Sequence, residues 1–445
     1  MLPALLLLTA HPVCAQPEPL ADVEIKQRLA KFIGPKKKTP GVAVGLIDGR
    51  GGSRILTAGK FDTKDTNSIT GDTIFEIGSI TKVFTATVLE GMVDHGELKL
   101  DDPIGKFLPS SVRTPSRNGK EITLLDLATQ SSGLPRLPDN MSVLQRLSSN
   151  PYKDYGPKQM YEFLSGYKLK RDIGSKYEYS NLGVGLLGHI LELKAGTNYE
   201  ALVIDRICRP LKMESTGVTL SPNLKLRLAP GHDAGGEIVD NWDFQALGGA
   251  GALRSSVNDM LKFLAANMGV ARTSLNDTLS RCQEPRRDIE SGRKIGLAWH
   301  INTDGVIWHN GGTGGYRSFL GFSKKTGRGV VVLANSAAAD TDGLGLTILG
   351  PAAIHTITRF DPPAFDQYAG KYQLAPGVII TISRDAEHFF AQLTGQDRFE
   401  IFPESEADFF FKVVDAQLTF HKDGAGKITH LVLHQNGLDQ KAPKN

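Results

Sequence analysis

The chain has 445 residues, enough for one large hydrophobic core and a smaller second one, and its 51 Lys and Arg against 48 Asp and Glu leave a net charge of +3. Both signs are dispersed with no basic stripe, which argues against nucleic acid as a partner. No apolar stretch is long enough for a transmembrane span, and the absence of His-Glu-x-x-His, Cys-x-x-Cys and Gly-x-Ser-x-Gly motifs argues against zinc and against an α/β-hydrolase elbow.

From the N-terminus, Leu2 to Ala10 is a short apolar run followed by Val13-Cys14-Ala15, which reads as a signal peptide ending at Ala15, with Gln16 the first mature residue and a periplasmic or secreted destination. Export would permit a bridge between Cys208 and Cys282; the reading here is two unpaired, partly buried thiols. Ala21 to Phe32 has the period of an amphipathic helix, and Val42–Ile47 with Arg54–Ala58 reads as a hairpin around Asp48-Gly49. Thr73–Ile77 is strand-like, Gly78 turns, and Ile80 to Gly91 is an apolar helix. Ser79 and Lys82 stand three residues apart at its start and so share a face. A hydroxyl within reach of an amine is the minimum for a serine nucleophile with a lysine base, and burial of the amine favours its neutral, basic form. Ser165/Lys168 and Ser291/Lys294 repeat the spacing in polar, Gly-containing stretches that read as solvated.

Further along, Tyr179-Ser180-Asn181 opens the apolar helix Leu182 to Leu193, and Gly296 to Ile301 reads as a strand that carries His300. His309-Asn310-Gly311-Gly312 follows Val306-Ile307-Trp308 and precedes the strands Tyr316–Phe322 and Gly329–Ala334; glycines there allow close approach of a ligand to the backbone. Gly343 to Arg359 is helix-like. The joint order of nucleophile helix, Tyr-x-Asn and glycine-lined strand resembles the serine β-lactamase and penicillin-binding protein superfamily. Phe75-Glu76-Ile77-Gly78-Ser79-Ile80-Thr81-Lys82, Ser132-Gly133-Leu134-Pro135 and Tyr179 to Gly188 are similar to its class C branch, and the likeness runs from about residue 20 to 357. The third motif departs from it. His309-x-Gly311 stands where a class C β-lactamase carries Lys-Thr-Gly, as in some D,D-peptidases, D-aminopeptidases and esterases of the family, while the literal Lys325-Thr326-Gly327 falls in a polar link and reads as a turn.

The resemblance implies acyl transfer through an ester of Ser79, with Lys82 and Tyr179 sharing the proton work, Asn181 holding a substrate amide and His309 orienting Tyr179 or binding a carboxylate. It implies an oxyanion hole at the backbone amides of Ser79 and Gly312, with Gly311 binding substrate beside Asn181 and His309; no metal or cofactor is expected. A tyrosine with its ordinary pKa of about 10 is a poor base, so nearby positive charge is expected to favour its anion. Were neutral His309 required, acylation would fall as pH drops through the ordinary histidine value of about 6.5.

Composition shifts at Phe360-Asp361-Pro362-Pro363, beyond which seven short alternating runs between Tyr368 and His434 predict a small antiparallel barrel or sandwich, similar to lipocalin-like tails of some family peptidases. The expected architecture is α+β, an α/β sandwich with a helical subdomain: residues 1–15 a signal, 16–359 the hydrolase domain and 360–445 the barrel. The expected function is an exported serine hydrolase that cleaves D-amino-acid peptides of the cell wall as a D,D-carboxypeptidase, endopeptidase or D-aminopeptidase and binds β-lactams. A β-lactamase or esterase is the alternative. A non-catalytic binding protein is disfavoured because all three motifs are populated.

Overall fold

The computed structural model describes residues 22–33, 38–48, 51–350, 358, 360–396, 398–411, 416–435 and 438–445. The signal reading, residues 1–15, lies outside them, as do Gly49 and the end of the helix read to Arg359.

Eight antiparallel strands form the main sheet. They are β1 (Gly41–Ile47), β2 (Ser53–Gly59), β3 (Arg287–Asp288), β4 (Lys294–Ile295), β5 (His300–Ile301), β6 (Val306–Gly312), β7 (Arg317–Ser323) and β8 (Arg328–Ala334), in spatial order β2-β1-β8-β7-β6-β5-β4-β3. Both ends of the domain meet where β1 pairs β8, with Val44 opposite Val332. Side chains alternate across a strand, and here both faces are apolar. Ala43, Val331, Leu333 and Phe322 pack into the core on one face, and Val42, Val44, Val330 and Val332 into that on the other. The second face is covered by Ile25 and Leu29 of helix α1 (Asp22–Phe32) and by Leu344 and Ile348, from a later helix, Thr341–Leu349.

On the first face, α2 (Thr81–Asp94) and α3 (Asn181–Ala195) are apolar nearly all round and lie inside the core; Ser180 caps α3 by accepting the Gly183 N–H at 2.8 Å. The helix Thr341–Leu349 is α4. The strand read over Gly296–Ile301 is shorter than expected. Ala298 adopts φ +62° and its N–H donates to Ala128 O at 2.9 Å, so residues 296–299 turn and only His300–Ile301 joins the ladder.

The tail is an eight-stranded meander: β9 (Gly370–Ala375), β10 (Val378–Asp385), β11 (His388–Leu393), β12 (Arg398–Pro403), β13 (Asp408–Phe411), β14 (Ala416–Lys422), β15 (Ile428–Gln435) and β16 (Leu438–Pro443). A bridge from Tyr372 to Lys444 brings its first strand back to its last, so the sheet is a nearly closed barrel with its own core. The sequence reading missed β16. Its Asp439, Gln440 and Lys441 carry no apolar alternation, yet the strand pairs β15 throughout.

Candidate active site

Ser79 sits on a single 3₁₀ turn, Gly78–Ile80, between the short strand Ile74–Glu76, paired with Arg254–Ser256, and α2. Gly78 has φ +50°, and a Cβ on it would stand 2.7 Å from Gly312 N, so the turn touches the end of β6 only because position 78 lacks a side chain. A Cβ on Gly311 would collide with the Ile77 carbonyl. Thr313 N donates to Tyr316 O at 3.1 Å, and in an antiparallel ladder the bonded pairs alternate. Gly312, opposite Arg317, therefore turns its N–H away from β7, on the side of the Gly78 turn.

One helical turn on, Lys82 is fully buried. Its Nζ lies 2.9 Å from Ser79 Oγ and donates to the Ala250 carbonyl at 2.7 Å. Burial first, and the Arg136 cation second, hold its ammonium pKa well below the ordinary lysine value. Tyr179 reaches the same serine from the residue before the α3 cap, with its phenol close enough to Ser79 for that hydroxyl to favour its anion. Lys82 Nζ is 4.8 Å and Arg136 Cζ 5.0 Å from its ring centroid. The expectation that positive charge favours the tyrosine anion is corrected: burial outweighs the influence of Ser79 and Arg136 and pushes the phenol up to about 12. Both side chains beside Ser79 are driven to their neutral forms by the same cause.

Asn181, the first residue of α3, lines a recess with Ser79, Tyr152 and Trp242, and its Oδ1 is buried without a partner among the described residues. His309 is buried, with Nδ1 donating to Asn310 O at 2.6 Å and its ring 6.4 Å from Tyr179 and 5.2 Å from His300. Burial, then His300 and Lys82, keep it neutral far below pH 6.5, so the acid limb expected near that value is not where His309 titrates. Its neighbours Asn310, Gly311 and Gly312 line the cavity wall in front of it.

That cavity, about 560 Å³, opens on Ser79 and Tyr179 and has walls the sequence reading missed. Arg136 and Arg317 supply cations; Asn310 donates to Asp342, an acid raised in pKa by burial; and Trp242 is fixed by donating N–H to Glu76 at 2.9 Å and Nε1–H to Ser149 O at 2.9 Å. His300, read as a strand residue near the site, also lines it and is lowered to about 4 by burial. Arg136 directly follows the Ser132–Pro135 stretch, and that adjacency was the available signal.

The other Ser-x-x-Lys pairs make no such site. Ser165 accepts the Arg113 N–H at 3.2 Å and Lys168 is exposed; Ser291 has φ +63° and Lys294 faces Asp288 at 3.9 Å. Lys325-Thr326-Gly327 forms the turn between β7 and β8, with Lys325 exposed. Cys208 and Cys282 are free and buried, and burial pushes the Cys208 thiol up to about 12. Among the described residues no helix is long and apolar enough to cross a membrane.

A family model described as β-lactamase matches residues 24–350, and one described as a domain of unknown function (DUF3471) matches residues 359–442. The chain is 30% identical over 341 residues to the D-alanyl-D-alanine-carboxypeptidase/endopeptidase AmpH of Escherichia coli strain K12, covering 72% of this chain and 86% of that one. It is 26% identical over 378 residues to a β-lactamase of the same organism, covering 75% and 93%. Among solved structures, a β-lactamase/D-alanine carboxypeptidase from Yersinia pestis superposes with TM-score 0.62 at 25% identity, over 70% of this chain and 92% of that one. An octameric penicillin-binding protein homologue from Pyrococcus abyssi gives 0.64 over 95% and 100%; at 20% identity that likeness is one of fold.

Proposed function

This chain belongs to the β-lactamase family, and from that premise we propose that it is an exported serine hydrolase of the D,D-peptidase type, acting on peptides that end in D-amino acids. The observation that carries the reading is the buried amine of Lys82, 2.9 Å from Ser79 Oγ and held by the Ala250 carbonyl. A neutral amine that donates to Ala250 keeps its lone pair for the serine proton.

In acylation, Ser79 Oγ attacks the scissile carbonyl carbon while its proton passes to Lys82 Nζ. The oxyanion forms between the amides of Ser79 and Gly312, a role that the close approach of the Gly78 turn to Gly312 supports. Collapse breaks the C–N bond, and the neutral phenol of Tyr179 protonates the leaving amine and recovers a proton from Lys82. Water then repeats the sequence on the ester and frees Ser79. Asn181 Oδ1, which has no partner among the described residues, is suited to a substrate amide N–H. His309, behind the wall, holds the Tyr179 side of the pocket, and Gly311 admits the substrate backbone. A terminal carboxylate has Arg136 and Arg317 to meet it.

The β-lactamase relatives support a second reading, in which the same acyl-enzyme opens a β-lactam or a small ester. Parallel turnover of a D-Ala-D-Ala peptide, a chromogenic cephalosporin and a p-nitrophenyl ester decides between them. Preferential release of D-alanine is expected; efficient cephalosporin turnover without peptide cleavage would favour the second reading. The export part has its own check, since N-terminal sequencing of secreted protein should begin at Gln16, and an intact Met1 would reject it.

A further inference from the structure

The C-terminal barrel is filled at one end and hollow at the other. Along β11 the inward positions run Phe389, Ala391, Leu393, and along β14, read backwards, Phe420, Leu418, Ala416. Large side chains gather at the first end, where Phe365 stacks on Phe389 with ring centroids 4.2 Å apart and Tyr368 packs on Phe420 at 4.9 Å. At the second end the small residues leave a cavity of about 610 Å³. That is within the range of about 300–1,000 Å³ common to ligand sites.

The lining decides the chemistry. The barrel's part of the wall, Ala391, Leu418 and Leu433 among it, is apolar apart from the exposed amide of Gln396, so a sugar or peptide placed there would lose most of its water contacts without replacement. The mouth is different, because α1 of the hydrolase domain lies across it with Glu24, Gln27, Arg28 and Lys31. Glu24 is engaged by Arg28 Nη2 at 3.1 Å, and two cations against one carboxylate leave the rim positive. Arg28 Nε is buried there without a hydrogen-bond partner among the described residues.

We propose that this cavity is a second binding site, separate from Ser79, for a small amphiphilic anion whose apolar chain enters the barrel and whose acidic head meets Arg28 and Lys31. The occupant is a single-chain carboxylate or its equivalent. The site needs no catalytic residue and stands whatever substrate Ser79 acts on.

Calorimetric titration of the full chain with dodecanoate tests it, with dodecyltrimethylammonium as the charge-reversed probe. One saturable site per chain is expected, with the cation at least about tenfold weaker, the value of one charge-assisted hydrogen bond. Lys31→Glu should weaken dodecanoate about tenfold and narrow the gap between the probes. Ala391→Phe should abolish binding; Ala416→Leu, a smaller filling, should weaken it, and unchanged ester hydrolysis and thermal unfolding would show that both variants are folded. Ser79→Ala should bind as the wild type does. No saturable binding, equal affinity for the two probes, undiminished binding in the filled variants, or loss of binding in Ser79→Ala would each overturn the proposal.

Discussion

Lys82 carries the conflict between stability and chemistry in this protein. Its folded pKa is depressed by burial, so between that value and the ordinary lysine pKa of about 10.4 the unfolded chain binds the extra proton. The penalty is absent above about pH 10.4, grows as pH falls through that window and is constant below it. Lys82→Met, similar in length and without a charge to desolvate, is therefore expected to be inactive, with a melting temperature that gains on the wild type as pH is lowered from 10. A constant gap in scanning calorimetry across that range would show that Lys82 is not neutralised by folding. The same shift fixes the activity profile. Acylation should rise with pH through the lowered Lys82 value and show no separate limb near 6.5 from His309, whose neutral state is secured by burial. Tyr179, neutral up to about 12, is placed to donate, so Tyr179→Phe should slow peptide cleavage by about 10²–10⁴ while a p-nitrophenyl ester, whose leaving group needs no proton, loses less. Equal losses on both substrates would remove Tyr179 from the leaving-group step.

Among the elements, the Gly78 turn and the end of β6 make the site by contact. Gly78→Ala adds a Cβ at a left-handed φ and 2.7 Å from Gly312 N, so the two amides should separate and acylation should fall by about 10²–10³, the loss typical of one oxyanion donor. Stopped-flow acylation of the folded variant measures this; a wild-type rate would show that the close approach is dispensable. Much of this was legible in the sequence. The helical spacing of Ser79 and Lys82, the apolar residues that bury the amine, the capped start of α3 at Tyr179-Ser180-Asn181 and the glycines of β6 are local signals. Arg136 was signalled only by its place after Ser132–Pro135, and Arg317, Trp242 and Asp342 were not legible, because a strand start, a loop and a helix start distant in the chain bring them to the cavity through tertiary packing. The phenol of Tyr179 was misjudged for a related reason. The Lys82 amine and the Arg136 guanidinium sit within about 5 Å of its ring, and only the packed structure shows that burial neutralises the first and outweighs the second.

For the whole molecule, the main sheet has a core on each face and the barrel has one of its own, and the barrel nearly closes its sheet without borrowing a strand from the first domain. A chain truncated after residue 358 is expected to remain soluble and to hydrolyse a small ester, as gel filtration and turnover would report. Loss of activity with folding retained would assign the barrel a part in the catalytic cavity. The proposed chemistry rests on one bond, an ester at Ser79. The most direct measurement is mass-spectrometric mapping of the protein after reaction with a fluorescent penicillin or a fluorophosphonate, on the wild type, Ser79→Ala and Lys82→Ala. The expected result is a single adduct on the peptide carrying Ser79, absent from Ser79→Ala and nearly absent from folded Lys82→Ala. An adduct that persists in Ser79→Ala and maps to Ser165, Ser291 or another residue would contradict it.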